Sequence, residues 1–282
     1  MREEQVGAAV TVEIKPSERP FPGFWQAVLL VVIVSILQAF LSLPFVIVGL
    51  FRHPAALAIP ILAATAAVVA VGFKITRATF GEVFPFAAVR WQFLCALLLV
   101  IAGLFVLRLE IAKIMNWVLP PPGWFSQFMK DMIGANRNPW GGFVAGAIVI
   151  PFAEEILYRG LILYGFLKRF GARKAIALSA FLFALMHGNP WQFVPALLIA
   201  VVLAWCLVRT GSLIPCLFGH MANNAIAYIL AGLKVNLPGG TGLHPLWFDT
   251  AALLCACLGL WLLLRDQRAR LKLASPIDAG VK

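Results

Sequence analysis

Charge is what this chain has least of. Of its 282 residues only 12% are Asp, Glu, Lys or Arg, about half the share of an ordinary soluble protein, while 62% are hydrophobic. A globule of this length would need roughly twice that charge to cover its surface, so a water-soluble domain is excluded and the apolar excess faces lipid. Acid is scarcer than base, with 12 Asp plus Glu against 23 Lys plus Arg and a net charge of +11. In a soluble protein that balance would suggest nucleic acid; here it suggests the cytoplasmic flanks of membrane spans, and no nucleic-acid partner is expected. CxxC spacing is absent too. Cys95, Cys206, Cys216, Cys255 and Cys257 all fall inside apolar runs and read as small buried hydrophobes, which gives no ground for a disulfide or a zinc site.

What the chain has in quantity is long apolar runs. Spans are predicted near 24–51, 54–73, 92–107, 141–167, 174–187, 190–208, 212–232 and 246–264. The fifth is short and could continue through Gly188-Asn189-Pro190 into the sixth, so the count is seven or eight, with eight preferred. The expected fold is an all-α, polytopic membrane helix bundle of about eight transmembrane helices. The first span is too long for a signal-peptide core and no small-residue cleavage site follows it, so it reads as an uncleaved helix.

With eight spans, 16 of the 23 basic residues fall on the side of the N-terminus. Six lie opposite (Arg52, Arg108, Lys113, Lys130, Arg137 and Lys234), and Arg159 sits within a span. The positive-inside rule then places both termini in the cytoplasm of a multi-pass protein, in the plasma or inner membrane if the source is bacterial. Five segments follow: a flexible cytoplasmic tail at 1–23, transmembrane helices with an interfacial segment at 24–140, a helical core at 141–232, a last span at 246–264, and a basic tail at 265–282 leaning on anionic lipid. In the link near 108–140, Phe125, Phe128, Met129, Met132 and Ile133 recur at helical spacing, predicting a short amphipathic helix on the outer interface. Trp25, Trp91, Trp117, Trp124, Trp140, Trp191 and Trp247 sit near span ends and read as headgroup anchors.

The links are too short for a soluble catalytic domain, so any chemistry must happen among the helices. The fourth span reads Pro151-Phe152-Ala153-Glu154-Glu155-Ile156-Leu157-Tyr158-Arg159 and puts three charges near mid-helix. Insertion of each such group at the bilayer centre costs about 2.5–3.5 kcal/mol, so a lipid-facing placement is disfavoured. Glu155 and Arg159 are at i, i+4 in the favourable order for an ion pair. Glu154 points about 100° away, where this geometry gives it no basic partner, and, desolvated and unpaired, it is the candidate general base. The alternative is that all three only lock helices together. Pro151 weakens the helix around residue 147, and irregular backbone at membrane depth is tolerated only against protein or a water-filled cavity.

Two further polar positions lie at compatible depth. His187 stands one turn beyond Phe183, which would pack against its ring, and His220 shares a helix face with Asn224. A carboxylate base, a histidine near the same water and a His/Asn donor pair together suit hydrolysis: a base to activate water and donors to hold an oxyanion.

These residues, Glu154-Glu155-x-x-x-Arg159, then Phe183-x-x-x-His187, then His220-x-x-x-Asn224, each on its own span and in this order, resemble the CAAX protease and bacteriocin-processing (Abi) family of intramembrane glutamic endopeptidases. The resemblance covers residues 141–230. It implies an endopeptidase like CAAX prenyl protease 2, acting on a membrane-associated peptide or protein. Glu154 with His187 would activate the attacking water, His220 and Asn224 would stabilise the oxyanion, and Glu155, Arg159 and Phe183 would support the site. No metal or other cofactor is then required. Zinc is the alternative, since a Glu/His/His set can bind it, but HExxH is missing and His53 and His244 fall in loops. Two other classes compete: a non-catalytic immunity or peptide-binding protein using the same cluster as packing glue, and a proton-coupled transporter using it as a relay.

Overall fold

The computed structural model describes residues 20–51, 53–133, 139–240 and 242–274. Ten helices are formed in the described residues, and the apolar runs account for them, because backbone groups in lipid must be satisfied within their own segment. They are α1 (Phe24–Ile47), α2 (Pro54–Thr76), the single turn α3 (Phe80–Val83), α4 (Trp91–Val118), α5 (Gly123–Ile133), α6 (Pro139–Leu167), α7 (Ala172–Met186), α8 (Pro190–Thr210), α9 (Ile214–Gly232) and α10 (Leu246–Ala274). Seven of them, α1, α2, α4, α6, α8, α9 and α10, are long and apolar enough to cross a membrane. The predicted fifth span is α7, whose 15 residues reach roughly 22 Å. Two of the starts show why the helices begin where they do. The Asn189 side chain accepts from the Gln192 N–H at 2.9 Å ahead of Pro190, and His53 accepts from the Ala55 N–H at 3.2 Å ahead of Pro54.

Contacts between loops define the two ends of the bundle. At one end Arg169 donates to the Pro20 carbonyl at 2.7 Å, and the Leu213 N–H donates to Pro85 O at 2.7 Å. At the other end the Trp191 indole donates to Leu119 O at 2.6 Å. Because α7 runs from the Arg169 turn to the turn at Gly188, where φ is +65°, it passes between the two ends although it is short. The described helices therefore traverse the bundle eight times, seven of these traverses by helices long and apolar enough to cross a membrane, and the described segments at both extremities start or finish at the Pro20 end.

α6 is the central element, packing against α2, α7 and α9. Its second half buries Leu157, Tyr158, Leu161, Ile162, Leu163 and Phe166 completely or nearly so. The outward faces of the bundle carry large apolar side chains such as Ile36, Leu98 and Leu254, as a lipid-facing surface requires. Small residues set the closest approaches. Gly103 of α4 lies against α10, and Gly259 of α10 lies against Ala96 and Val100 of α4.

Several boundaries and placements differ from expectation. The third span runs on to Val118, so Arg108, Glu110 and Lys113 are helical, not in a link. Protein contacts cover these charges: Arg108 rests over the Phe105 ring at 4.4 Å, and Glu110 accepts from the His244 N–H at 3.1 Å. The first span stops at Ile47, with Gly49 turning at φ +73°. The predicted short amphipathic helix is present as α5, with Phe125 packed on Trp191 at 4.7 Å between ring centres. Trp191 is partly buried by this packing, whereas Trp25, Trp117 and Trp140 are exposed. Cys206 and Cys216 are buried as expected, but Cys95 and Cys257 are exposed, since a thiol is apolar enough to face lipid. The proposed tail at 265–282 continues α10 through Ala274; its remainder, and residues 1–19 of the proposed N-terminal tail, lie outside the described residues.

A Cβ on Gly103 would collide with the Ala252 carbonyl and the Ala256 backbone. Gly103→Val should therefore cost about 1–3 kcal/mol by prising α4 from α10, read as a lowered thermal midpoint in detergent.

Candidate active site

The backbone of α6 is distorted on both sides of its acidic pair. Val144–Val149 and Ile156–Ile162 are wound as π-helix, and the Ile150 N–H reaches back five residues to Ala145 O. In that register the next acceptor, Gly146 O, faces Pro151, which has no N–H to give. The Asn224 side-chain amide supplies the missing donor from α9, with Nδ2 3.0 Å from Gly146 O. Asn224 Oδ1 in turn accepts from Asn223 Nδ2 at 2.9 Å.

Glu155 is wholly buried and holds two partners on one oxygen. Arg159 Nη1 donates to its Oε1 at 2.8 Å, and His220 Nδ1 lies 2.7 Å from the same atom. The i, i+4 ion pair read from sequence is thus formed. Arg159 also donates to Ala200 O at 3.3 Å and places its guanidinium 4.5 Å from the centre of the Phe183 ring. Phe183 meets the rings of His187 and His220 edge-on at 5.3 and 5.6 Å, so it holds both imidazoles in position.

Glu154 was expected to lack a partner, and this is corrected: His220 Nε2 stands 3.6 Å from Glu154 Oε2. Helical geometry along α6 alone cannot reveal that contact, because α9 brings the histidine across. With Nδ1–H directed at Glu155, Nε2 is the His220 atom turned toward Glu154. His187 closes α7, and its Nδ1 lies 3.1 Å from Phe183 O. A carbonyl can only accept, so Nδ1 carries the hydrogen and Nε2 keeps its lone pair.

Glu154, His187, His220 and Asn224 all line one cavity of about 830 Å³. It occupies the half of the bundle at the Trp191 end, between α2, α4, α6, α8 and α9. Its size is within the range of ligand-binding clefts. Glu155 and Arg159 lie behind the wall, consistent with support, while Phe183 reaches the cavity. Sequence reasoning passed over Asn223, Arg108, Tyr228 and Gln38, which also line it. Asn223 was detectable as a second amide inside an apolar span, and Arg108 would have been had the third span been extended to 118.

Three metal-ligand atoms lie within 4.8 Å of one another, among the described residues, only at Glu110, His244 and Asp249. His244, expected as an ordinary loop residue, is in fact buried there, with Nδ1 2.9 Å from Asp249 Oδ1 and 3.2 Å from Glu110 Oε2. It ties the start of α10 to α4. The donor atoms of Glu154, His187 and His220 do not all lie within 4.8 Å of one another.

Fold and site together define a polytopic membrane protein with carboxylate, imidazole and amide groups gathered inside the bundle. Residues 136–226 match the family model of the type II CAAX prenyl endopeptidase Rce1-like proteins. The match runs from the start of α6 to the middle of α9 and contains all seven residues singled out from sequence. It supports a membrane-embedded protease. No curated protein and no solved structure matches the chain.

Removing the cation from the buried cluster should be costly. Arg159→Leu leaves Glu155 charged and without its guanidinium, an expected loss of about 3–5 kcal/mol in stability, and Glu155→Gln added to it should restore a large part. Thermal midpoints in detergent read both, and equal losses in the single and double variants would show that the pair is not the source.

Proposed function

We propose that this protein is an intramembrane endopeptidase of the glutamic type. The observation that carries the proposal is the convergence of Glu154, His187, His220 and Asn224, from two helices and one helix end, on a single cavity. Glu154 takes a proton from a water held between it and His187 Nε2, and the water oxygen attacks the peptide carbonyl carbon. The oxyanion so formed faces His220 and the second N–H of the Asn224 amide, the first being committed to Gly146 O. The proton held by Glu154 then passes to the departing amine as the C–N bond breaks. Glu155, Arg159 and Phe183 fix the two imidazoles. No metal takes part in this scheme.

The substrate is a membrane-delivered peptide or protein cut near one end. The name of the matching family, a prenyl endopeptidase, makes a lipidated C-terminal segment the first candidate. On the positive-inside rule the Pro20 end, with most of the basic residues, is cytoplasmic, and anionic lipid is its natural neighbour. The cavity then opens in the opposite half of the bilayer.

Purified protein in liposomes, given a quenched-fluorescent lipidated peptide, tests the reading. Glu154→Gln and His187→Ala should each abolish cleavage at an unchanged thermal midpoint, and Asn224→Ala should lower kcat by about 10²–10³-fold. Full activity in either of the first two would overturn the proposal.

A further inference from the structure

The cavity contains a cation that the hydrolytic scheme does not use. Arg108, on the last third of α4, lines it together with Glu154 and His187. Its Nε is buried with no hydrogen-bond partner, and its one described interaction is with the Phe105 ring at 4.4 Å. None of its N–H groups meets an acceptor among the described residues. The acids that might neutralise it are engaged elsewhere. Glu110, two residues on, is turned to His244 and Lys113, and Glu155 belongs to Arg159 and His220. Glu154 is the only acid in the described cavity wall, against Arg108 and, at the mouth, Lys234.

A guanidinium kept at membrane depth without a counter-ion is set for an incoming anion. Its fork of donors matches a carboxylate or phosphate, where two parallel N–H bonds form at once. The position selects between them. Arg108 shares its cavity with the residues proposed to attack the peptide bond, so the anion it meets belongs to the segment being cut.

We propose that Arg108 is a specificity residue that binds the free C-terminal carboxylate of the substrate, making the protein selective for cleavage close to a chain end. The proposal rests on the endopeptidase reading and names the substrate feature that reading leaves open. Arg108 moves no proton and touches no reacting atom. It holds the end of the peptide, and the length of the cavity sets which bond reaches Glu154.

The test compares an S-farnesylated peptide bearing a free terminal carboxylate with the same peptide as its C-terminal amide, in liposomes of neutral lipid. Wild-type protein should favour the acid by about 10- to 100-fold in kcat/KM, the range expected for charge-assisted hydrogen bonds. Arg108→Gln should bring that ratio near one, chiefly by raising KM for the acid, and Arg108→Lys should restore part of it. An unchanged ratio in Arg108→Gln, or equal loss on both peptides, overturns the proposal by reducing Arg108 to a packing residue. Dependence of the Arg108 effect on added anionic lipid, with no acid preference, assigns the site to a headgroup phosphate and also overturns it. Binding of both peptides to the Glu154→Gln protein, by fluorescence anisotropy, separates the two readings. Acid-selective binding that disappears with Arg108→Gln upholds the carboxylate site even if wild-type protein cuts neither peptide, whereas equal binding of the two refutes it.

Discussion

Glu155 has no access to water, and one of its oxygens carries both the charge balance and the orientation of the site. Arg159 reaches it from one turn along the same helix, and His220 from 65 residues away on another. A buried carboxylate in lipid is tolerable only when it is paired and hydrogen-bonded. The pairing therefore does more than offset a cost: the Glu155 oxygen that pairs with Arg159 also holds His220 Nδ1, and so fixes which edge of the His220 ring is left to face Glu154. Arg159 in turn lies against Phe183, and Phe183 against both histidines, so a single chain of contacts runs from the buried ion pair to the two imidazoles of the cavity.

A second constraint is the need to satisfy backbone groups where no water is present to do so. Pro151 cannot donate, and the π-helical register ahead of it leaves Gly146 O as the acceptor without a donor. Asn224 fills that gap, which couples α9 to α6 at the level of the carboxylates. The distortion thereby helps to build the cavity: the amide beside it is held in place by a backbone defect, and only part of its donor capacity is consumed. Gly146 also admits Tyr228 so closely that a Cβ there would overlap its ring.

Away from the cavity, the same economy of charge recurs. Glu110, His244 and Asp249 form a buried cluster that pins the start of α10 to α4, and glycines at 103 and 259 let the two helices meet. Charged residues among the described segments are thus concentrated where they join helices, line the cavity or cluster at the ends of the bundle. In a chain with so few of them, each buried one is informative.

Much of this was legible from composition and spacing. Hydropathy is a local property of the chain, so the helices and the amphipathic α5 could be read directly, as could the Glu155–Arg159 pair, whose partners share one helix. Ends of helices were harder. Arg108, Glu110 and Lys113 lowered the local hydropathy and cut α4 short, since a window average cannot know that other helices cover them. The sequence alone determined that three charges lie at membrane depth in α6 and that His187, His220 and Asn224 occupy other spans. Only tertiary packing decided that His220 serves both carboxylates, that Asn224 answers a proline, that His244 is buried and that Arg108 looks into the cavity. Those facts depend on side chains from distant segments meeting across helix interfaces, and neither period nor hydropathy encodes which faces come together.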